Sequence, residues 1–139
     1  MAKNKPSISI IVPCYNEEGN LRGTIEAING ALASSNRFSA HEILIYNDRS
    51  TDATGALADS IAKADRSVKV IHNAKNMGFG FNYTDGVKRA TKDYIMMVPG
   101  DNEIPAMAIE TVLAKAGEAD VIIPYTANPE VRPFSRRVI

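Results

Sequence analysis

The stretch Tyr94-Ile95-Met96-Met97-Val98-Pro99-Gly100-Asp101-Asn102-Glu103 decides how the chain is read. An apolar run, Ile95 to Val98, stops at a Pro-Gly break and delivers two carboxylates, Asp101 and Glu103, with Asn102 between them. A buried strand ending in a turn that presents acids is how an α/β sheet commonly builds a site at its carboxyl edge. The same residues also suit a solvated turn before a helix, since Asp and Asn cap helices and Pro105 fits a first helical position.

Working outward, three more segments have the same form. Ile8, Ile10, Ile11 and Val12 make a β-branched run ended by Pro13, which reads as a parallel strand buried on both faces. Glu42 to Tyr46 is a second strand closed by Asn47-Asp48-Arg49-Ser50-Thr51-Asp52, and Val68 to Ile71 is a third, followed by Asn73-Ala74-Lys75-Asn76-Met77-Gly78. Between them, Leu21, Ile25, Ile28 and Leu32 recur at helical spacing, a second helix runs through Ala56 to Ala62, and a third, weakened by Gly80 and Gly86, covers Phe79 to Ala90. A helix after Pro105 turns Ile109, Val112 and Leu113 inward, and Val121 to Ile123 reads as a fifth strand. Strand and helix alternate, so the fold class is α/β: a mostly parallel sheet with helices on both faces and right-handed crossovers. Function belongs in the loops that begin at Pro13, Asn47, Asn73 and Pro99.

Composition bounds the partners. The 139 residues suit one domain, and 45% hydrophobic with 23% charged is ordinary for a soluble chain with a real core. Sixteen basic residues balance sixteen acidic ones, so no overall field favours nucleic acid or an anionic membrane. The one cysteine, Cys14, excludes an internal disulfide framework and a multi-cysteine zinc site and is compatible with a reducing compartment. The opening segment is too short and too soon broken to be a signal peptide or a membrane span, which points to a cytoplasmic location.

Each loop carries two readings. Tyr15 can stack on a nucleobase or pack, and Glu17 can accept from ribose hydroxyls or serve as a first-turn carboxylate favoured by a helix dipole. Asp48 can accept from a base N–H or a ribose, or be a turn residue beside a Ser50 or Thr51 cap. Lys75 can neutralise a phosphate or simply be solvated. Gly78-Phe79-Gly80 begins a Gly-x-Gly, but Tyr83 stands in the third glycine's place, so the dinucleotide fingerprint is not met. His41 and His72 read as structural or surface residues, and Cys14 as a small residue at a strand end.

Taken in order, Val12-Pro13-Cys14-Tyr15-Asn16-Glu17-Glu18, Asn47-Asp48-Arg49-Ser50-Thr51-Asp52, Lys75-Asn76-Met77-Gly78 and Gly100-Asp101-Asn102-Glu103 resemble the family 2 glycosyltransferases of the GT-A fold, in particular the polyprenyl-phosphate, dolichol-phosphate mannosyltransferase-like branch. The resemblance implies a sheet that binds a nucleotide-diphosphosugar, a UDP- or GDP-sugar, with Mg2+ or Mn2+. Pro13, Tyr15 and Glu17 match residues that hold base and ribose, Tyr46 and Asp48 the next nucleotide contacts, and Asp101 the second acid of an Asp-x-Asp metal motif. Glu103 falls where that branch has a group near the metal, Lys75 is a further donor-site candidate, and Gly100 would admit the sugar or diphosphate close to the backbone.

The chain departs from the pattern in places. Pro99 replaces the first acid of the Asp-x-Asp, Asn47 the first acid of the usual Asp-Asp-Gly-Ser and Arg49 its glycine, and Pro124-Tyr125-Thr126 occupies the region of a Gly-Ser-Arg motif. Arg136 and Arg137 resemble a later basic pair that meets an acceptor or donor phosphate.

The expected organisation is a GT-A core over residues 1–127 and a basic exit segment over residues 128–139, lacking the C-terminal acceptor-binding part. A lipid-phosphate or glycan acceptor is implied, without nucleic acid. Membrane contact, at the cytoplasmic face, would come only through that further region. A binding module without turnover, a nucleotidyltransferase of similar sheet and a non-enzymatic α/β scaffold are the alternatives.

Overall fold

A computed structural model describes residues 5–125. Strands β1 (Ser7–Cys14), β2 (Ala40–Asn47), β3 (Val68–His72) and β4 (Tyr94–Met97) alternate with helices α1 (Leu21–Ser35), α2 (Thr54–Ala64), α3 (Phe79–Arg89) and α4 (Ala106–Leu113). All neighbouring strands are parallel, in the order β3-β2-β1-β4.

Crossover handedness explains the layering. The chain steps from β1 to β2 to β3 in one direction and then reverses to place β4 on the far side of β1. Right-handed connections put helices from steps of opposite direction on opposite faces. Ile8, Ile10 and Val12 of β1 and Ile43 and Ile45 of β2 accordingly bury with Leu21, Ile25 and Ile28 of α1, Ala58 and Ile61 of α2, and Ile109 and Leu113 of α4. The alternate residues Ile11, Leu44 and Tyr46 form a smaller core on the other face. That face belongs to α3: a methyl group added at Gly86 would come within 2.8 Å of Ile11. The glycine that lowers helix propensity is what lets α3 lie close on β1.

The expected fifth strand does not form. Residues 121–125 join no ladder, and Val121 and Ile123 are 72% and 83% exposed. Ile122, Ile123 and Pro124 line one side of a groove whose other walls include Tyr94, Ile95 and Met96. Residues 126–139, and with them the expected boundary at 127, Arg136 and Arg137, lie outside the described residues. No helix among the described residues is long and apolar enough to cross a membrane.

At the amino-terminal end of the sheet, one buried carboxylate ties three segments together. Glu42 accepts from Ser9 Oγ at 2.8 Å, Thr91 N at 2.8 Å, Thr91 Oγ1 at 2.9 Å and Lys69 Nζ at 2.8 Å. Burial alone would raise its pKa, but these donors outweigh it and lower the carboxyl from 4.5 to about 2. A group depressed on folding stabilises the protein above its unfolded pKa, and the contribution disappears as pH falls from 4.5 to about 2. The shift corresponds to about 3 kcal/mol at neutral pH. Glu42→Gln is therefore predicted to cost roughly 2–3 kcal/mol at neutral pH and little at pH ~2, which urea titrations at the two pH values will show.

Candidate functional site

In an open parallel sheet ligands bind outside the carboxyl ends of the strands. Here those ends carry the β1, β2 and β4 loops, with the start of α3 beside them. A cleft of about 260 Å³ opens there, lined by Pro13, Cys14, Tyr15, Glu17, Asp48, Phe79, Asn82, Pro99, Gly100 and Asp101.

The β1–β4 pairing continues beyond β4 itself, with Val98 N donating to Ile11 O at 2.9 Å and Gly100 N to Pro13 O at 3.0 Å. A Cβ at Gly100 would sit 2.5 Å from Cys14 Sγ and 3.2 Å from Pro13 O. The glycine thus admits β1 to the acid turn. Asn102, at φ 57, donates its amide to buried Thr24 Oγ1 at 3.0 Å and lays its side chain over Gly23. The turn is thereby fastened to α1. Asp101 Oδ1 accepts from Glu103 N at 3.1 Å, while Glu103 is exposed and outside the cleft lining.

The β1 and β2 loops clasp each other. Asn16, at φ 57, accepts from Thr51 N at 2.8 Å and donates its own amide to Ser50 Oγ at 3.0 Å. Glu17 N donates to Thr54 Oγ1 at 2.7 Å, and Ala53 N donates to Glu18 Oε2 at 2.8 Å. Ser50 and Thr51, expected as helix caps, hold loop to loop instead. Glu17 itself precedes α1 and accepts from Asn20 Nδ2 at 2.8 Å, so it is not a first-turn residue of that helix. Arg49 adopts φ 62, a left-handed conformation that costs a side-chain-bearing residue and suits the glycine it replaces in the resembling motif.

Asp48 is turned inward. Its Oδ1 accepts from Asn73 Nδ2 at 2.8 Å and Met77 N at 2.7 Å, and its Oδ2 accepts from Gly78 N at 2.8 Å. Burial would raise the carboxyl, yet these hydrogen bonds prevail and hold it below its ordinary value. Asn73 also donates to Asn82 Oδ1 at 2.6 Å, and Asn82 is 1% exposed. Asp48 thus organises the Asn73–Gly78 loop and the start of α3. Asp48→Ala is predicted to speed hydrogen exchange at the Met77 and Gly78 amides at least about tenfold, leaving β1 amides little changed in an NMR exchange experiment.

Pro13, Tyr15, Glu17, Asp48, Gly100 and Asp101 therefore meet in one cleft, as the sequence suggested. Besides Glu103, Tyr46 and Lys75 do not line it. Tyr46 is buried on the α3 face and donates its hydroxyl to Asp85 at 2.7 Å; Lys75 is exposed in a separate hollow with Phe81 and Arg89. A period of two decides Tyr46: it shares a face with Leu44 of the smaller core. Phe79 and Asn82 also line the cleft, and no local pattern in the sequence marks them, because they reach it only through the close approach of α3 to β1 at Gly86. His72 bonds Asn47 Nδ2 and Asp59 at the sheet edge, away from the cleft.

Glu17, Asp48 and Asp101 line the cleft, and among the described residues no lysine, arginine or histidine does. Burial pushes the Cys14 thiol up to about 12, with Glu17 and Asp101 adding repulsion, so it stays protonated and inert. No group of three or more His, Cys, Asp or Glu among the described residues could hold a metal by itself.

A family model, glycosyl transferase family 2, matches residues 9–137. The chain belongs to that family. Among its relatives is the dolichol-phosphate mannosyltransferase of Pyrococcus furiosus, 30% identical over 137 residues, spanning 95% of this chain and 38% of that protein. The fold of this glycosyltransferase-family chain is also that of S. aureus TarS 1-349 in complex with UDP-GlcNAc (TM-score 0.64, 22% identity, 81% of this chain and 31% of that one). A mannosyltransferase from Pyrobaculum calidifontis, in complex with GDP-Man and Mn2+, superposes with a TM-score of 0.61 at 17% identity, over 78% of this chain and 32% of that one. These neighbours are GT-A enzymes, which agrees with the parallel sheet and flanking helices seen here. The chain spans about a third of the length of curated relatives that it matches.

Proposed function

We propose that this chain is the donor-binding part of a glycosyltransferase that moves a sugar from a UDP- or GDP-sugar to an acceptor with inversion, the acceptor being a polyprenyl phosphate. The observation that carries the reading is the cleft at the carboxyl end of β1 and β4, where three carboxylates converge and no cation among the described residues lines the wall. A nucleoside diphosphate is the ligand class that fits: an aromatic and apolar wall for the base, carboxylates for ribose, and a metal to mediate the phosphates. GDP-Man, Mn2+ and UDP-GlcNAc accompany the structural neighbours, and the relative's name supplies a lipid-phosphate acceptor.

Asp101 is the proposed principal ligand of Mg2+ or Mn2+, with Glu103 as a second once its exposed side chain turns toward the cleft. Oxygen donors suit these hard cations, and one or two protein carboxylates suffice when the diphosphate completes the shell. When bound, the metal neutralises charge on the departing nucleoside diphosphate. Tyr15 holds the base and Glu17 accepts from ribose hydroxyls. Gly100 keeps the acid turn against β1, so that Asp101 faces the diphosphate while the acceptor oxygen attacks the anomeric carbon in line. A phosphate acceptor is already ionised and requires no general base from this chain. Arg136 and Arg137 remain proposed phosphate contacts, and Tyr46 and Lys75 are proposed to act on the donor only through the elements they support.

Because the chain spans about a third of its relatives, binding without turnover is the second reading. Calorimetry with UDP- and GDP-sugars, with and without Mn2+, tests both. The chain is expected to bind in a metal-dependent manner, EDTA is expected to abolish binding, and Asp101→Ala is expected to weaken it at least about tenfold, the loss of one charge-assisted ligand. Silence toward every nucleotide with either metal would refute the assignment.

A further inference from the structure

Phe79 opens α3 at the rim of the cleft and is 53% exposed, and Tyr15, at the end of β1, is 49% exposed on the same cleft. Leaving two aromatic faces in water forgoes burial that the fold could have used. Neither residue is loosely placed. Gly78, at φ 85, turns the chain into α3 with its amide fixed by Asp48, and Asn82, one turn along, is buried on Asn73. On the other side, Asn16 pins the backbone next to Tyr15 through Ser50 and Thr51.

Two polar side chains near these rings are drawn largely into the protein. Asp48 receives three protein donors, and Asn82 Oδ1 is taken by Asn73. Resting on the donor-site reading above, we infer that Phe79 is a second stacking wall of that site, holding the nucleobase between its ring and that of Tyr15. Recognition through ring faces tolerates both pyrimidines and purines, because every base has a π-face. Phe79 then sets affinity for the nucleoside, and base discrimination in this part of the site is weak.

The test compares wild type, Phe79→Ala, Phe79→Leu and Phe79→Tyr in calorimetry with UDP, GDP and inorganic pyrophosphate, each with Mn2+. The inference expects Phe79→Ala and Phe79→Leu to weaken UDP and GDP binding by about tenfold, in the range of a lost base–aromatic stack. Pyrophosphate binding should be unchanged in both, and Phe79→Tyr should bind the nucleotides like wild type. Full nucleotide affinity in Phe79→Leu overturns the stacking role while leaving the donor-site reading intact. Equal losses for pyrophosphate and nucleotide in Phe79→Ala overturn it as well, marking Phe79 as structural. A wild-type chain that binds no nucleotide overturns both readings.

Discussion

Crossover handedness is the constraint on which this structure depends. Three strands laid down in one direction, followed by one returned to the other side of the first, force α3 to the opposite face from α1 and α2 and bring its start beside the β1 and β4 loops. The cleft is a consequence of that reversal. It would exist with other residues in its loops, and what makes it a candidate for diphosphate chemistry is that those loops supply carboxylates, aromatic rings and close-packed glycine.

Most of the loops' polar residues work on one another. Asn16, Glu18, Ser50, Thr51 and Thr54 join the β1 and β2 loops, and Asp48, Asn73 and Asn82 join β2, the β3 loop and α3. Hydrogen bonds of this kind hold a small number of outward-facing groups, chiefly Tyr15, Phe79 and Asp101, on backbone that is itself fixed. A site of this construction is organised before ligand arrives, which lowers the ordering cost of binding.

Much of this was legible in the sequence. The four strands and four helices follow from β-branched runs and helical spacing, and the loops that matter follow from where those runs stop. Two kinds of information were not legible. The inward turn of Asp48 depends on Met77 and Gly78 amides about thirty residues away, and no local pattern marks them. Phe79 and Asn82 belong to the site because α3 lies on β1, which in turn depends on Gly86 fitting over Ile11; the sequence shows that glycine only as a weakness in the helix. Val121 to Ile123 misled in the other direction: a β-branched run reads as a strand, but Val121 and Ile123 stay exposed and join no ladder, because propensity does not supply a partner strand.

The central claim, that the β1–β4 cleft gathers metal and nucleoside diphosphate at one point, is tested most directly by paramagnetic NMR. Substoichiometric Mn2+ added with UDP or GDP broadens amides near the ion. The account predicts broadening centred on Tyr15, Gly100 and Asp101 and absent from the Glu42 end of the sheet. Broadening centred elsewhere, or none in the presence of both nucleotides, would contradict it.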